Sequence, residues 1–169
     1  FFDGVHLGHR FLIGQVLDIA QKNGAESLIV TMYPHPRAIV QPGFQPQLLT
    51  TLDEKLNLLQ KTGISKVEVL QFDKEMSRLS ARDFMEQILH EKLGIDYLVM
   101  GYDHRFGHGG GTMEQYKKKK KELGIEVLQM EAFSGEYVSS SAIRKLLLQV
   151  NVEKAAKLLG RPYELCGNV

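Results

Sequence analysis

Two histidines and two glycines stand close together near the start of the chain, directly ahead of a helical pattern. The N-terminus of a helix offers free backbone N–H groups to an anion. The rings of His6 and His9 can donate further N–H bonds to phosphate oxygens. Gly4 and Gly8 let a ligand approach the backbone closely. The stretch therefore predicts a phosphate site, although histidines that only cap or line a turn produce the same pattern.

Three serines and an arginine form a second group of anion-binding side chains, at the start of the last long helical pattern. Ser140 and Ser141 place hydroxyl groups beside the free N–H groups of that helix, and Arg144 adds a cation one turn later. A plain serine cap with a surface arginine is the alternative interpretation. Taken together, the two groups fit a triphosphate, or a triphosphate and a phosphorylated acceptor.

A glycine-rich stretch at residues 101–111 is the third candidate for ligand contacts. Asp103 offers an acceptor, Arg105 a cation and Phe106 an aromatic face, on a backbone that glycine leaves free to wrap a ligand. A mobile glycine loop without a ligand is the alternative. The stretch matches neither the Walker phosphate loop nor the dinucleotide-binding glycine motif.

Pro34, His35 and Pro36 lie in a long predicted loop, residues 33–50, that directly follows a predicted strand. Long loops inside compact domains are usually functional or mobile. His35 between its two prolines could therefore face a ligand, or it could only shape the turn.

Helical and strand patterns alternate along the chain, which is typical of an α/β fold. Short apolar runs bounded by turn residues predict strands at residues 27–32, 66–70, 97–100 and 125–130. Capped amphipathic patterns predict helices at residues 9–22, 51–63, 80–94, 112–123, 139–150 and 151–160. The alternation predicts a parallel sheet covered by helices on both faces.

The same patterns predict which side chains face the core and where the loops meet. The predicted buried faces are Phe11, Leu12, Val16, Ile19 and Ala20 in the first helix, and Ile143, Leu146, Leu147 and Val150 in the last long one. Ligands of such sheets bind beyond the carboxyl ends of the strands. The candidate loops meet at that edge if a strand precedes the first of them, so we expect such a strand upstream of residue 2.

Composition narrows the classes of protein to which the chain can belong. Its 169 residues suit one domain, and 43% hydrophobic and 24% charged residues suit an ordinary globular protein. A single cysteine excludes an internal disulfide and a thiolate-rich zinc site. The net charge of +1 gives no reason to expect nucleic acid, and the lysine run at 117–121 surrounds a helix instead of forming one basic face. Without a long apolar run or a signal peptide, a cytoplasmic protein with no membrane partner is predicted.

Four motifs, in this order, resemble those of the N-terminal adenylyltransferase domain in the prokaryotic bifunctional riboflavin kinase/FMN adenylyltransferase (FAD synthetase) family. They are Phe-Asp-Gly-Val-His-x-Gly-His at 2–9, Pro-His-Pro at 34–36, Gly-x-Asp-x-x-Phe-Gly at 101–107 and Ser-Ser-Ser-x-Ile-Arg at 139–144. The resemblance implies a Rossmann-like parallel sheet of the nucleotidyltransferase type, flanked by helices on both faces. It also implies an adenylyltransferase domain over residues 1–160, followed at 161–169 by the start of a linker to a riboflavin kinase domain.

The activity implied by the resemblance is the transfer of AMP from ATP to FMN, giving FAD and pyrophosphate with Mg²⁺, whose ligands stay open. His6 and His9 would bind the α- and β-phosphate region, and Arg144 with Ser140 and Ser141 would hold the leaving pyrophosphate. Asp103 would contact the nucleotide or the metal shell. The flavin side would be shaped by Pro34, His35, Pro36, Arg105 and Phe106. A related nucleotidyltransferase with another phosphorylated acceptor and a non-catalytic nucleotide-binding module are the alternatives.

Overall fold

The computed structural model describes residues 1–101, 106–108, 113–118, 120–131, 133–134, 137–165 and 167. Their strands are β1 (Leu28–Tyr33), β2 (Lys66–Gln71), β3 (Tyr97–Met100) and β4 (Glu126–Gln129). Their helices are α1 (Leu7–Asn23), α2 (Pro36–Val40), α3 (Leu52–Gln60), α4 (Ala81–Asp83), α5 (Met113–Lys118), α6 (Lys120–Leu123), α7 (Ser140–Leu148) and α8 (Val152–Leu159). A π-helical segment, Phe84–Lys92, continues α4, and a 3₁₀ turn, Asp3–Val5, precedes α1.

The chain divides into two compact units. The first comprises Phe1–Met32, Gln45–Leu70 and Phe133–Val169, and the second comprises Tyr33–Phe44 and Gln71–Ala132. Within the described residues, the strands form two sheets of two strands each, β1–β2 and β3–β4. The single sheet flanked on both faces that the alternation predicts is therefore not confirmed. Hydrophobic patterns locate strands, but they do not determine which strand edges form hydrogen bonds.

Both two-stranded sheets are parallel, as the sequence predicts. In the second unit, Tyr97 pairs with Glu126 and Met100 with Gln129, so the two strands run in the same direction. Next to β1 and β2, the Lys66 amide donates to the Ser27 carbonyl at 3.0 Å, and the Phe72 amide donates to the Tyr33 carbonyl at 2.9 Å. Residue numbers rise together along this pair too, so the mixed α/β class is confirmed.

Local signals predict most helix ends correctly. At the start of α3, the Thr51 hydroxyl accepts from the Glu54 amide, and the Glu54 carboxylate accepts from the Thr51 amide. This reciprocal capping box satisfies two of the N–H groups left free at a helix start. At the other end of α1, Gly24 adopts a left-handed conformation with φ of 60° and stops the helix.

The predicted loop at residues 33–50 is wrong for five residues, which form α2. Pro36 begins this helix because its ring fixes φ near the helical value and its missing N–H is not needed at a helix start. The Nδ1 atom of His35 accepts from the Arg37 amide at 3.2 Å and caps the helix. Pro34 and Pro36 follow the end of a strand, and Pro36 also starts a helix.

Two residues predicted to face the core are exposed. Phe11 lies on the outer side of α1 with its ring 5.4 Å from that of Phe133, while Ile13 is buried instead. Val150 is 81% exposed and lies beyond the end of α7, with φ of 57°. A helix with apolar residues on several sides leaves its phase open, and periodicity alone cannot find the residue at which a helix stops.

The first unit contains two apolar clusters that support the candidate site. One joins the segments around α1, β1 and α3 through Val5, Ile13, Ile29, Leu59 and Ile64. The other joins α7, α8 and the segment before α3 through Leu49, Ile143, Ala155, Leu158 and Leu159. Both ends of the chain are therefore packed around the same unit. No helix among the described residues is long and apolar enough to span a bilayer.

Candidate functional site

His6 caps α1, a structural role that leaves its second ring nitrogen for a ligand. It stands between the turn Asp3–Val5 and the helix, and its Nδ1 atom accepts from the His9 amide at 3.3 Å. One turn along the helix, the His9 ring stacks on that of His6 with centroids 3.6 Å apart and an angle of 14°. Capping and ring stacking hold both imidazoles in place at the start of the helix.

Burial keeps both imidazoles neutral at physiological pH. It lowers the pKa of His6 to about 4, and it lowers the pKa of His9 to about 2, an effect that the neighbouring His6 increases. Since Nδ1 of His6 accepts a hydrogen bond, the single proton of its neutral ring is on Nε2. His6 is therefore equipped to donate one N–H bond to a ligand without carrying a positive charge.

A buried ring nitrogen of His9 has an unmet hydrogen-bonding capacity. Among the residues that the structure describes, Nδ1 of His9 has no hydrogen-bond partner. Buried polar atoms almost always have partners, and the exceptions call for an explanation such as a catalytic role or a bound group. The unpaired nitrogen marks the helix start as a place where a ligand could supply the missing partner.

Arg144 forms a salt bridge with Asp3 across 141 positions of sequence. Its Nη1 atom lies 2.7 Å from Oδ2 of Asp3, and its Nη2 atom donates to the Ser141 hydroxyl at 3.1 Å. The Ser140 hydroxyl donates to the main-chain carbonyl of Asp3 at 3.0 Å. The structure thus brings Arg144, Ser140 and Ser141 to the turn that leads into His6.

Asp3 links the two candidate groups of side chains, and the sequence patterns do not reveal this link. Its Oδ1 atom accepts from the amides of Leu49 and Thr50 at 2.9 and 3.2 Å, and from the Thr50 hydroxyl at 3.4 Å. The carboxylate therefore joins three segments that are far apart in the chain. Its place within the first motif was the available signal, but no spacing rule pairs it with an arginine at the other end.

The fold requires glycine at position 4 but not at position 8. Gly4 has φ of 75°, and a Cβ atom there would lie 2.8 Å from Cδ1 of Leu49, so folding itself requires glycine. At Gly8, in the first turn of α1, the nearest atoms to an added Cβ are those of the His6 ring at 3.4 Å, an ordinary contact distance. No described residue excludes a side chain at position 8, and a Cβ atom there would contact the His6 ring.

The candidate flavin-side residues that the structure describes lie in the second unit. His35 caps α2, and the guanidinium of Arg37 lies 4.1 Å above the centre of the Phe44 ring. The Phe106 ring stacks on Tyr116 with centroids 4.5 Å apart.

Main-chain bonds fix the position of Phe106. The Tyr116 hydroxyl accepts from its amide at 3.1 Å and donates to its carbonyl at 2.9 Å. One face of the Phe106 ring is thus already covered by protein. Asp103 and Arg105 lie outside the described residues.

The described residues do not fit a metal ion held by the protein. They contain no group of three or more histidine, cysteine, aspartate or glutamate side chains suited to a metal. The carboxylate nearest the histidines in sequence is that of Asp3, and both its oxygens already accept hydrogen bonds from protein donors. A Mg²⁺ ion held mainly by the phosphates of a ligand, a common arrangement for this ion, needs no such group among the described residues.

Comparisons with known proteins agree on one family. The model of the FAD synthetase family matches residues 1–142. Bifunctional riboflavin kinase/FMN adenylyltransferases from Buchnera aphidicola (33% identity), Escherichia coli K12 (32%) and Bacillus subtilis 168 (33%) match 99–100% of this chain. The matched region is 54–55% of each relative, so the chain spans about half the length of these relatives.

A solved structure shares the fold over nearly the whole chain. It is described as the macrolide-efflux protein from Streptococcus pneumoniae and superposes with a TM-score of 0.83 at 26% identity. The superposition covers 99% of this chain and 58% of that one.

Proposed function

Because the chain belongs to the FAD synthetase family, we propose that it transfers AMP from ATP to FMN and releases pyrophosphate. The observation that carries this proposal is the contact of two distant motifs: the Asp3–Arg144 salt bridge joins the His6–His9 turn to the serine-rich start of α7. Two groups of anion-binding side chains in one place suit a triphosphate and its acceptor better than a single phosphate.

The attacking group in this reaction is the phosphate of FMN. Its second pKa is about 6, as for other phosphate monoesters, so it is already mostly dianionic at neutral pH and needs no general base. An oxygen of that phosphate attacks the α-phosphorus of ATP in line with the departing pyrophosphate. Catalysis then depends on positioning and on stabilising the charge that develops on the phosphate oxygens.

His6 and His9 are assigned to the α- and β-phosphate region. Their lowered pKa values make them neutral hydrogen-bond donors, so they add no net charge while the charge is redistributed. Support for this role comes from the Nε2 proton of His6 and from the unpaired, buried Nδ1 of His9. The absence of a side chain at Gly8, beside the His6 ring, would let phosphate oxygens approach the helix start.

Arg144, Ser140 and Ser141 are assigned to the leaving pyrophosphate, and Mg²⁺ would enter as part of the ATP substrate. A bound Mg²⁺ would offset charge on the phosphates. Asp103 would contact the nucleotide or the metal shell. The residues proposed for the flavin side are Pro34, His35, Pro36, Arg105 and Phe106.

The relatives' names extend the proposal to the whole protein. Their matched halves suggest that residues 1–160 form the adenylyltransferase part and that 161–169 lead to a riboflavin kinase part. A Rossmann-like arrangement of the strands, flanked by helices on both faces, belongs to the same proposal. So does a cytoplasmic location, where both ATP and FMN are supplied, without nucleic-acid or membrane partners.

The test is to incubate the 169-residue chain with FMN and ATP in Mg²⁺ buffer and to measure FAD and pyrophosphate. We expect the two products in equal amounts, and none when riboflavin, which lacks the attacking phosphate, replaces FMN. Calorimetric binding of ATP and FMN without product would favour a non-catalytic nucleotide-binding module. Pyrophosphate release only with a different phosphorylated acceptor would favour a related nucleotidyltransferase.

A further inference from the structure

We propose that Asp3 is a positioning residue, which fixes the guanidinium of Arg144 so that its remaining N–H groups face the leaving pyrophosphate. The inference rests on the proposed function and adds a residue to its site. Asp3 would not touch the substrate, but would act through Arg144. The evidence comes from the hydrogen bonds on both sides of this carboxylate.

Protein acceptors among the described residues bind only part of the Arg144 guanidinium. Of the five N–H donors of a guanidinium, one binds Oδ2 of Asp3 and one binds the Ser141 hydroxyl in the part of the chain that the structure describes. The arginine side chain is 29% exposed, whereas that of Asp3 is 10% exposed. The guanidinium thus joins a buried carboxylate to solvent, with donors left for an anion.

Asp3 is itself held rigidly. Three donors of the Leu49–Thr50 segment converge on Oδ1, and two of them are backbone amides. Backbone amides have no rotatable side chain, so the carboxylate cannot turn with the arginine. An arginine paired with a fixed carboxylate loses little conformational entropy when it binds a phosphate. Preorganisation of this kind lowers the free-energy cost of binding.

A second, buried cation interacts electrostatically with Asp3. Lys55 is 9% exposed, and its Nζ atom donates to the Thr31 hydroxyl at 3.3 Å. Burial lowers the pKa of Lys55, and the charge of Asp3 acts in the opposite direction. Asp3 therefore still interacts with a second positive charge when part of the charge of Arg144 is directed to a ligand.

Asp3 also sets the distance between the two groups of side chains that are assigned to the phosphates. It lies in the turn that ends at His6, and its main-chain carbonyl accepts from the Ser140 hydroxyl at the start of α7. Its side chain holds Arg144 in the next turn of the same helix. A shift of Asp3 would move Arg144 relative to the imidazoles.

A double-mutant cycle tests this role. Asp3→Asn keeps the shape of the side chain and removes its charge, and Arg144→Gln removes the residue through which Asp3 would act. In the wild-type background we expect Asp3→Asn to lower kcat by about 10²-fold, the loss typical of a misplaced catalytic group. Its dissociation constant for inorganic pyrophosphate, measured by calorimetry, should rise about tenfold, while KM for ATP changes less.

In the Arg144→Gln background, Asp3→Asn should change kcat and pyrophosphate affinity by less than about twofold, because the coupled partner is already lost. Asp53→Asn, which neutralises an exposed carboxylate on α3, should match the wild type in every assay. Equal losses in both backgrounds would mean that Asp3 acts independently of Arg144 and would overturn the proposal. So would an Asp3→Asn variant with normal kcat and normal pyrophosphate affinity.

Circular dichroism and thermal melting identify a variant that does not fold. In that case Asp3→Glu retains the charge and moves the carboxylate by about one methylene group, so a folded protein with reduced kcat and weaker pyrophosphate binding is expected. Wild-type values for Asp3→Glu, or failure of both variants to fold, would assign Asp3 to folding alone. If the wild type forms no FAD, the proposed function fails. The double-mutant cycle, measured as pyrophosphate affinity by calorimetry, still decides whether Asp3 acts through Arg144.

Discussion

The imidazole rings of His6 and His9 stack 3.6 Å apart, and the same His6 ring accepts a hydrogen bond from the His9 amide. One side chain therefore has two separable properties. Its Nδ1 atom stabilises the helix, and its Nε2 proton remains for a ligand. Substitutions that retain one property and remove the other can distinguish stability from catalysis.

His6→Asn should retain the cap and lose the phosphate donor. Asparagine is among the best N-cap residues, so the free energy of unfolding should stay close to the wild-type value. Loss of one charge-stabilising donor should lower kcat by about 10² to 10³-fold. His6→Ala should show the same loss of rate and in addition unfold about 1 kcal/mol more easily. Urea denaturation and FAD formation measure the two effects, and an active His6→Asn variant would exclude His6 from the mechanism.

His9→Ala should lower kcat by about 10² to 10³-fold, because it removes the second donor to the phosphates. His90→Ala is the matched control, since His90 is exposed near the end of the π-helical segment. The rate of FAD formation at saturating ATP and FMN is the measurement. A His9→Ala rate within about twofold of the control would contradict the assignment of His9 to the reacting phosphates.

Gly8→Ala and Gly14→Ala form a matched pair within α1. Each replaces a helical glycine, and each should raise stability by about 0.5 to 1 kcal/mol, since neither new Cβ atom meets a close neighbour. Only the methyl group at position 8 borders the imidazoles, so Gly8→Ala should lower kcat/KM by at least about tenfold while Gly14→Ala leaves it unchanged. Equal activity of the two variants would mean that no phosphate approaches the backbone at Gly8.

Acid should destabilise the protein through His6. The pKa of His6 is about 4 in the folded chain, below the value of about 6.5 for an unperturbed histidine. Between these two pH values the unfolded chain binds the proton and the folded chain does not, so stability falls as the pH is lowered through this window. The contribution is about 1.4 kcal/mol for each pH unit.

Urea unfolding at pH 7, 6 and 5 tests this contribution. The free energy of unfolding should fall less steeply with acid in His6→Asn than in the wild type, because one titrating group has been removed. The difference between the two proteins isolates His6 from the other groups that titrate in the same range. Parallel pH profiles would show that the His6 ring is not kept neutral by burial.

Local sequence signals predict the elements of this protein well. The apolar runs of β1 to β4, the capping box of Thr51 and Glu54 and the left-handed Gly24 depend on interactions within a few residues, which a sequence displays directly. The failures occur where local signals compete. Pro34 and Pro36 signal the end of a strand, but Pro36 also starts a helix. Val150 continues an apolar pattern beyond the end of its helix.

The sequence by itself determined the alternation of helices and strands, the two groups of anion-binding side chains and the family resemblance, because residue types and short spacings carry that information. Only the tertiary structure decided that Asp3 pairs with Arg144, that Lys55 is buried beside Thr31, and that the His6 and His9 rings are stacked and neutral. Pairing across 141 positions and the pKa of a buried ring depend on which segments pack together and exclude water, and no local pattern encodes that packing.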